Sequence, residues 1–345
     1  MIIGHKKQWE FLENSFKNEK LAHAFLFCGE NKIGKKTFAI EFVKLLNCSA
    51  DKKPCNICKN CLDIEKGNFP DFLFVHTGEE SAVENNFEGM FSYSSALPDL
   101  KTGQELKDKK EIEISQARKV LEFLSLRSYF ASYKAVIIDN AEKLNMEAQN
   151  CLLKTLEEAK GKTILILVTS QPERLLSTIF SRCQTIKFFP VPAKEIAQHL
   201  VGIGCLSKKA EELADMADGK AGKAISDFKN PEKLEEEQKI LNDLLKVISQ
   251  NLAEKFAYAK SLKDEDGNIK EILEILQKYF RYLLLQKIGA CPTPPGFYPE
   301  PTENIKLYSV EKLKDIIKQI ERTINDISFT NVNQKLAFEI LLMEI

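Results

Sequence analysis

The chain has 345 residues, 44% hydrophobic and 29% charged, enough apolar material for at least two buried cores and so for two or three domains. Its 49 basic and 50 acidic side chains leave a formal net charge of -1, which excludes a global field that draws in nucleic acid; any such contact has to be local. No apolar run approaches the ~20 residues needed to span a bilayer, and Met1-Ile2-Ile3-Gly4-His5-Lys6-Lys7 is not followed by an apolar segment of signal type. No membrane association and a cytoplasmic location are therefore expected.

The first predicted element is a short apolar strand, Ala24-Phe25-Leu26-Phe27-Cys28, which runs straight into Gly29-Glu30-Asn31-Lys32-Ile33-Gly34-Lys35-Lys36. Helical periodicity follows from Lys36 to Asn47 through Phe38, Phe42, Leu45 and Leu46. Strand, glycine loop and helix are the context a phosphate loop requires. Gly29 and Gly34 allow backbone N–H groups to wrap phosphate, and Lys35 reaches the terminal phosphates. The position that normally gives magnesium a hydroxyl is Lys36, a cation, with Thr37 one step later as a partial substitute. The bland alternative is a glycine turn that merely joins strand to helix.

Four of the 9 cysteines, Cys48, Cys55, Cys58 and Cys61, then fall in one short stretch, where an even scatter would put about 0.4. C-x6-C-x2-C-x2-C with polar fillers brings four thiolates round one tetrahedral ion, the arrangement of a closed, structural zinc site. An iron-sulfur cluster, a disulfide pair or free thiols are the alternatives; a reducing compartment and the tight spacing favour the metal.

Further strands are predicted over Phe72 to His76, Ala135 to Asp139, Thr163 to Thr169 and Gln184 to Phe188, alternating with helices over Ser115 to Ser125 and Asn145 to Glu158. The polar stretch from Gly78 to Lys110 reads as a long surface excursion. The alternation implies an α/β fold, a parallel, doubly wound sheet over residues 1-190 with the cysteine module at 48-61 inserted in it. In this sheet Val136-Ile137-Ile138 ends in Asp139-Asn140, where an ATPase site needs Asp-Glu. Asp139 is placed as the magnesium-side acid, but Asn140 cannot take a proton from water, and Glu142 substitutes only if the local geometry is unusual. Negligible hydrolysis by this chain is the expectation, so it does not count as a significant ATPase.

Ser181-Arg182-Cys183 ends a short helical stretch and offers one arginine in an exposed turn. A guanidinium set in trans against the terminal phosphate of a neighbour's nucleotide offsets the charge that develops in phosphoryl transfer. Standing alone, Arg182 reads as a surface arginine paired with a carboxylate; beside two degenerate pieces of an ATPase site it reads as an arginine finger. After Pro190 and Pro192 the pattern is helical only. A small helical domain is predicted at 191-232, with Gly219 and Gly222 as breaks, and a charged stretch from Asn230 to Lys239 leads into a helical bundle at 233-345 containing a proline-rich loop from Pro292 to Pro301.

Taken together, Ile3-Gly4-His5, His23-Ala24-Phe25-Leu26-Phe27, Gly34-Lys35-Lys36, the four cysteines, Phe69-Pro70-Asp71, the run from Asn150 to Glu158 and Ser181-Arg182-Cys183-Gln184 resemble the delta-prime subunit family of the bacterial DNA polymerase III clamp loader, within the AAA+ superfamily. The resemblance implies an AAA+ domain, a helical lid and a C-terminal collar. It implies a non-hydrolysing stator in a five-subunit ring with gamma/tau motor subunits and a delta subunit, whose Arg182 acts on a motor's ATP. The ring would load the sliding clamp on primed DNA during replication. Thr169 falls at the family's phosphate-sensing threonine, while Gly219-Lys220-Ala221-Gly222-Lys223 lacks the lid's sensing arginine, so ATP, if held here, would not be hydrolysed. The run after Leu156-Glu157-Glu158 continues with Ala159-Lys160 where the family tends to have prolines. Two other readings stand: a motor subunit of the same loader, against which Lys36 and Asn140 count, and a zinc-containing nucleic-acid adaptor, whose DNA binding would fall steeply with salt.

Overall fold

The computed structural model describes residues 2–77, 111–129, 131–158, 161–262, 268–289, 298, 306–330 and 332–345. The excursion expected from Gly78 to Lys110, the Ala159-Lys160 pair and all of the Pro292 to Pro301 loop except Tyr298 lie outside these residues. Two compact units are present, Met1–Ser226 and Asp227–Ile345.

The first unit is built on five parallel strands, β1 (Ala24–Cys28), β2 (Phe72–Val75), β3 (Lys134–Ile138), β4 (Thr163–Thr169) and β5 (Gln184–Lys187), in the order β2-β3-β4-β1-β5. Every residue of β1, β2 and β3 is buried, as expected for a parallel sheet covered on both faces. Alternation along each strand divides the apolar side chains between two cores. Phe25, Phe27, Phe74, Ile137 and Ile166 face one way, and Leu26, Val75, Val136, Ile138 and Leu167 face the other.

Helices α1 (Lys6–Lys17) and α2 (Lys35–Asn47) cover the first face through Leu12, Phe38 and Phe42. The other face carries α4 (Ile114–Ser125) and α5 (Met146–Glu157), packed on each other and on the sheet through Val120, Phe123, Ala148 and Leu152. Local chemistry starts both: Glu113 and Gln116 form a capping box at α4, and the Asn145 side chain accepts from Ala148 N–H at α5. A one-turn helix, α6 (Ser177–Phe180), precedes β5, and α7 (Ala193–Gly202), α8 (Ser207–Met216) and α9 (Ala221–Lys229) follow it.

The unit Asp227–Ile345 is all helical among the described residues. Leu241, Leu276, Tyr279, Phe280, Ile316 and Phe338 form its core, and the helix Asn268–Lys287 packs along Val310–Phe329. Two expectations are corrected. The charged stretch from Asn230 to Lys239, expected to lead into a helix starting at Ile240, is itself helical from Pro231, in a helix Pro231–Ile248 whose proline at the first position fits the helical φ and has no N–H to lose. Gly222 is not a break; it lies inside α9. No helix among the described residues is long and apolar enough to cross a membrane.

Phe42 is fully buried and meets the Phe25 ring edge-on at 5.7 Å between centroids. Phe42→Ala should cost about 3–5 kcal/mol of unfolding free energy, measured by urea titration. A loss below ~1 kcal/mol would contradict the packing of α2 on the sheet.

Candidate functional site: a degenerate phosphate loop, a cysteine cluster and an arginine turn

The phosphate loop leaves the C-terminal end of β1. Gly34 adopts φ 106°, open to glycine and strained for other residues, and starts α2. Lys35 is buried, and its Nζ donates to the loop's own carbonyls, Gly29 O and Glu30 O, each at 2.6 Å. Burial pulls the Lys35 ammonium below the usual lysine range, while the charges of Asp139 and Glu142 act to keep it protonated. Lys36 Nζ lies 4.9 Å from the centre of the Phe74 ring, so a cation–π contact holds the charge that replaces the usual hydroxyl. Thr37 is exposed on α2.

Two further segments close on this loop. His5 Nε2 lies 3.2 Å from Ile33 O. From α9, Gly222 N–H donates to Lys32 O at 2.8 Å, and just ahead of it Lys220 pairs with Glu30 at 2.9 Å. A Cβ at Gly222 would stand 2.7 Å from Lys32 O, which is why glycine occurs there inside a helix.

Neighbouring strand ends supply the rest. Thr169 is fully buried; its carbonyl accepts from Gly29 N–H at 3.3 Å and its hydroxyl from Gln171 N–H at 3.1 Å. Asp139 is buried just past β3 and accepts from Asn140 N–H at 3.1 Å. Asn140 has φ 52° and opens a short 3-10 turn, Ala141–Lys143. The turn aims Glu142 back at the site: its Oε1 accepts from Ser170 Oγ at 2.7 Å, and its charge reaches Lys35. Glu142 Oε2 is buried without a hydrogen-bond partner. The site therefore does hold a second carboxylate, committed to Ser170 rather than positioned like the missing Glu at 140.

The cysteine cluster sits beyond the far end of α2. The sulfurs of Cys48, Cys55, Cys58 and Cys61 all lie within 4.8 Å of one another, with Cys48 and Cys58 at 3.9 Å. Tetrahedral zinc with Zn–S bonds of ~2.3 Å requires sulfurs ~3.8 Å apart, so the donor set fits. Backbone N–H groups at 3.3–3.5 Å already point at three of the sulfurs, Cys55 N–H at Cys48, Cys58 N–H at Cys55 and Cys61 N–H at Cys58, an arrangement that favours thiolates. A short helix, α3 (Lys59–Glu65), begins at Cys58. The module is tied to α2 by Lys44, whose Nζ donates to Glu41, Asn56 and Glu65, each at 3.0 Å. Lys44 is 2% exposed; burial opposes its charge, but the hydrogen bonds to Glu65 and Glu41 prevail and raise its pKa.

The arginine turn lies at the other edge of the sheet. Cys183 is buried in the core, with its thiol pushed up to about 12 by burial, and it anchors the turn. Arg182 is half-buried rather than exposed. Its Nε donates to Glu157 Oε1 at 2.6 Å, its Nη2 donates to the same oxygen, and Nη1 donates to Thr178 O at 3.0 Å and Ser181 Oγ at 3.3 Å. The carboxylate pairing that the sequence left as the bland alternative is thus made. Strand register places the turn. Phe25 pairs with Gln184 and Cys28 with Lys187, so the four residues of β5, roughly 13 Å at ~3.3 Å per residue, separate the turn that carries Arg182 from the level of the phosphate loop. That exceeds the reach of one side chain.

A family model described as "DNA polymerase III, delta subunit" matches residues 4–192, more than half of the chain. The chain belongs to that family. Among curated proteins it is 31% identical over 250 residues to DNA polymerase III subunit delta' of Bacillus subtilis, a match covering 72% of this chain and 66% of that one. It is 30% identical over 197 residues to subunit delta' of Pseudomonas aeruginosa, covering 56% and 51%. It is 26% identical to subunit tau of Bacillus subtilis, covering 100% of this chain and 60% of that one. The chain thus spans less than two thirds of the length of these relatives.

In this member of the DNA polymerase III, delta subunit family, the parallel sheet with its phosphate-loop connection and four-cysteine insertion is the AAA+ type of fold expected above. Sequence reasoning gave Glu157 no role, since it was noticed only within a run of matching residues; the one available signal was its place at the end of a helix facing the Ser-Arg-Cys turn. Lys220 and Gly222 were read only for the absence of an arginine and as a break. Lys44 went unnoticed because a lone lysine on a helix is ordinarily a solvated one.

Purified chain should carry about one zinc per molecule, and chelation or Cys58→Ser should lower the melting temperature of the unit that holds the cluster by several degrees, measured by scanning calorimetry with metal analysis. Full retention of stability on complete metal loss would remove the structural role.

Proposed function

We propose that the chain is a clamp-loader subunit of the DNA polymerase III machinery, of the delta-prime kind, which hydrolyses no appreciable ATP and presents Arg182 in trans to ATP on a neighbouring gamma/tau-type motor subunit. The observation that carries this reading is the placement of Arg182 at the N-terminal edge of the sheet, separated from the chain's own phosphate loop by the length of β5, roughly 13 Å. If this arginine acts on a nucleotide, the nucleotide is on another subunit. In this reading residues 1-190 are the AAA+ body with a zinc staple, 191-232 the lid and 233-345 the collar that joins motor and delta subunits in a five-membered ring. The ring opens the sliding clamp and sets it on primed DNA.

The local chemistry supports a silent phosphate site. Lys35 is held by its own loop, Lys36 replaces the magnesium hydroxyl, Asn140 replaces the base, and Glu142 is engaged with Ser170. Of the groups that would touch a nucleotide, Gly29, Gly34, Lys35 and Thr169 keep the types suited to binding phosphate, so ATP retained without turnover fits this site better than catalysis. The motor-subunit reading is favoured by the match to subunit tau along the whole chain but needs the hydrolytic groups lost at 36 and 140.

The decisive measurement is ATP hydrolysis by the purified chain alone and after mixing with the motor subunit of its own source. The chain alone should stay at background, the mixture should be stimulated, and Arg182→Ala should reduce that stimulation by about a hundredfold or more, as for arginine fingers elsewhere. Undiminished turnover with Arg182→Ala would sink the trans reading, and turnover by the chain alone would return it to the motor class.

A further inference from the structure

Three segments meet at the N-terminal edge of the sheet. His23, just before β1, places Nε2 at 2.8 Å from Leu156 O and so fastens the end of α5. The next residue, Glu157, reaches across to the turn after α6 and takes Arg182 on its Nε/Nη2 edge. Thr178 O and Ser181 Oγ occupy Nη1. Four of the five N–H groups of the guanidinium are therefore already donating within this chain. A bidentate grip on a phosphate needs two adjacent N–H groups, and the edge best shaped for it is the one Glu157 holds.

We propose that Glu157 is a positioning residue for Arg182 that competes with the phosphate: it keeps the guanidinium raised and ordered at the turn, and gives up the Nε/Nη2 edge when a nucleotide on a second subunit arrives. This rests on the trans reading above. The hold is of a kind that can be exchanged. The Glu157 side chain is 47% exposed and that of Arg182 30%, so water screens the pair and its loss is cheap beside a polyphosphate carrying several negative charges. The position is nonetheless fixed, because the backbone on either side is tied down: Leu156 O to His23, and both Arg182 N–H and Cys183 N–H to Ile179 O at 3.1 Å. Thr178 O and Ser181 Oγ keep hold of Nη1, so the guanidinium stays at the turn when Glu157 lets go, and the release is an exchange of anions.

The test uses the full chain assembled with its motor subunit, with kcat/KM for ATP as the readout. Glu157→Gln, which removes the charge, and Glu157→Ala, which removes the acceptor, should each raise kcat/KM by about two- to fivefold, the range that a partly exposed ion pair allows. On an Arg182→Ala background neither should change anything. Melting temperatures of the isolated variants within ~2 °C of wild type would set aside a merely structural effect. Unchanged or lowered kcat/KM in both Glu157 variants, with Arg182→Ala still strongly impaired, overturns the competition while leaving the trans reading intact. If Arg182→Ala is itself without effect, the trans reading falls and the role of Glu157 falls with it.

Discussion

Five strands run parallel, and that single constraint sets where everything else can be. In a parallel sheet each strand returns by a crossover, so all connections leaving strands lie at one edge and all those entering lie at the other. The phosphate loop leaves β1, Asp139 leaves β3 and Thr169 ends β4, so these meet at the C-terminal edge. His23 enters β1 and Arg182 enters β5, while Glu157 ends the helix that leads into β4, so these gather at the opposite edge. No side-chain rearrangement brings Arg182 to Lys35. A nucleotide held at the chain's own phosphate loop is therefore out of that arginine's reach.

At the C-terminal edge, the charges that a nucleotide and its metal would ordinarily organise are organised by the protein itself. Lys35 turns on its own loop, Lys36 lies over Phe74, Glu142 is bound to Ser170, and Lys220 neutralises Glu30. Buried polar groups left unmatched are costly, and these contacts satisfy most of them without a ligand, Glu142 Oε2 being the exception. Loss of the hydroxyl at 36 and the carboxylate at 140 thus comes with a loop that is well ordered, not collapsed, and able to remain a rigid part of the sheet.

The cysteine cluster bears on the same helix from its other end. Lys44 stands inside the protein only because three acceptors surround it, two of which, Asn56 and Glu65, come from the cysteine segment. Removal of one partner from so buried a charge is expensive, so the cysteine segment and the helix that carries Lys35 share their stability. The four-cysteine module is accordingly part of the frame that holds the phosphate loop, rather than a separate appendage.

Much was legible in the sequence because it is local. Apolar runs of strand length bounded by glycine and polar residues marked β1 to β5 to within a residue at each end, the spacing of the four cysteines marked them as one cluster, and Lys36 and Asn140 stood out by their type alone as departures from a hydrolytic site. What the sequence by itself determined is therefore the class of fold, the family and the set of available groups. Tertiary structure alone decided how those groups are committed. Asn230 to Lys239 became helix because its apolar neighbours had a bundle to join, Gly222 proved to be a contact with Lys32, Lys44 found acceptors 12 and 21 residues away, and Glu157 met Arg182 across 25 residues. Such pairings depend on strand order and on which edge a connection occupies, and short-range pattern carries no record of either. The same order, through the direction of β5, decided that the arginine faces away from the phosphate loop of its own chain.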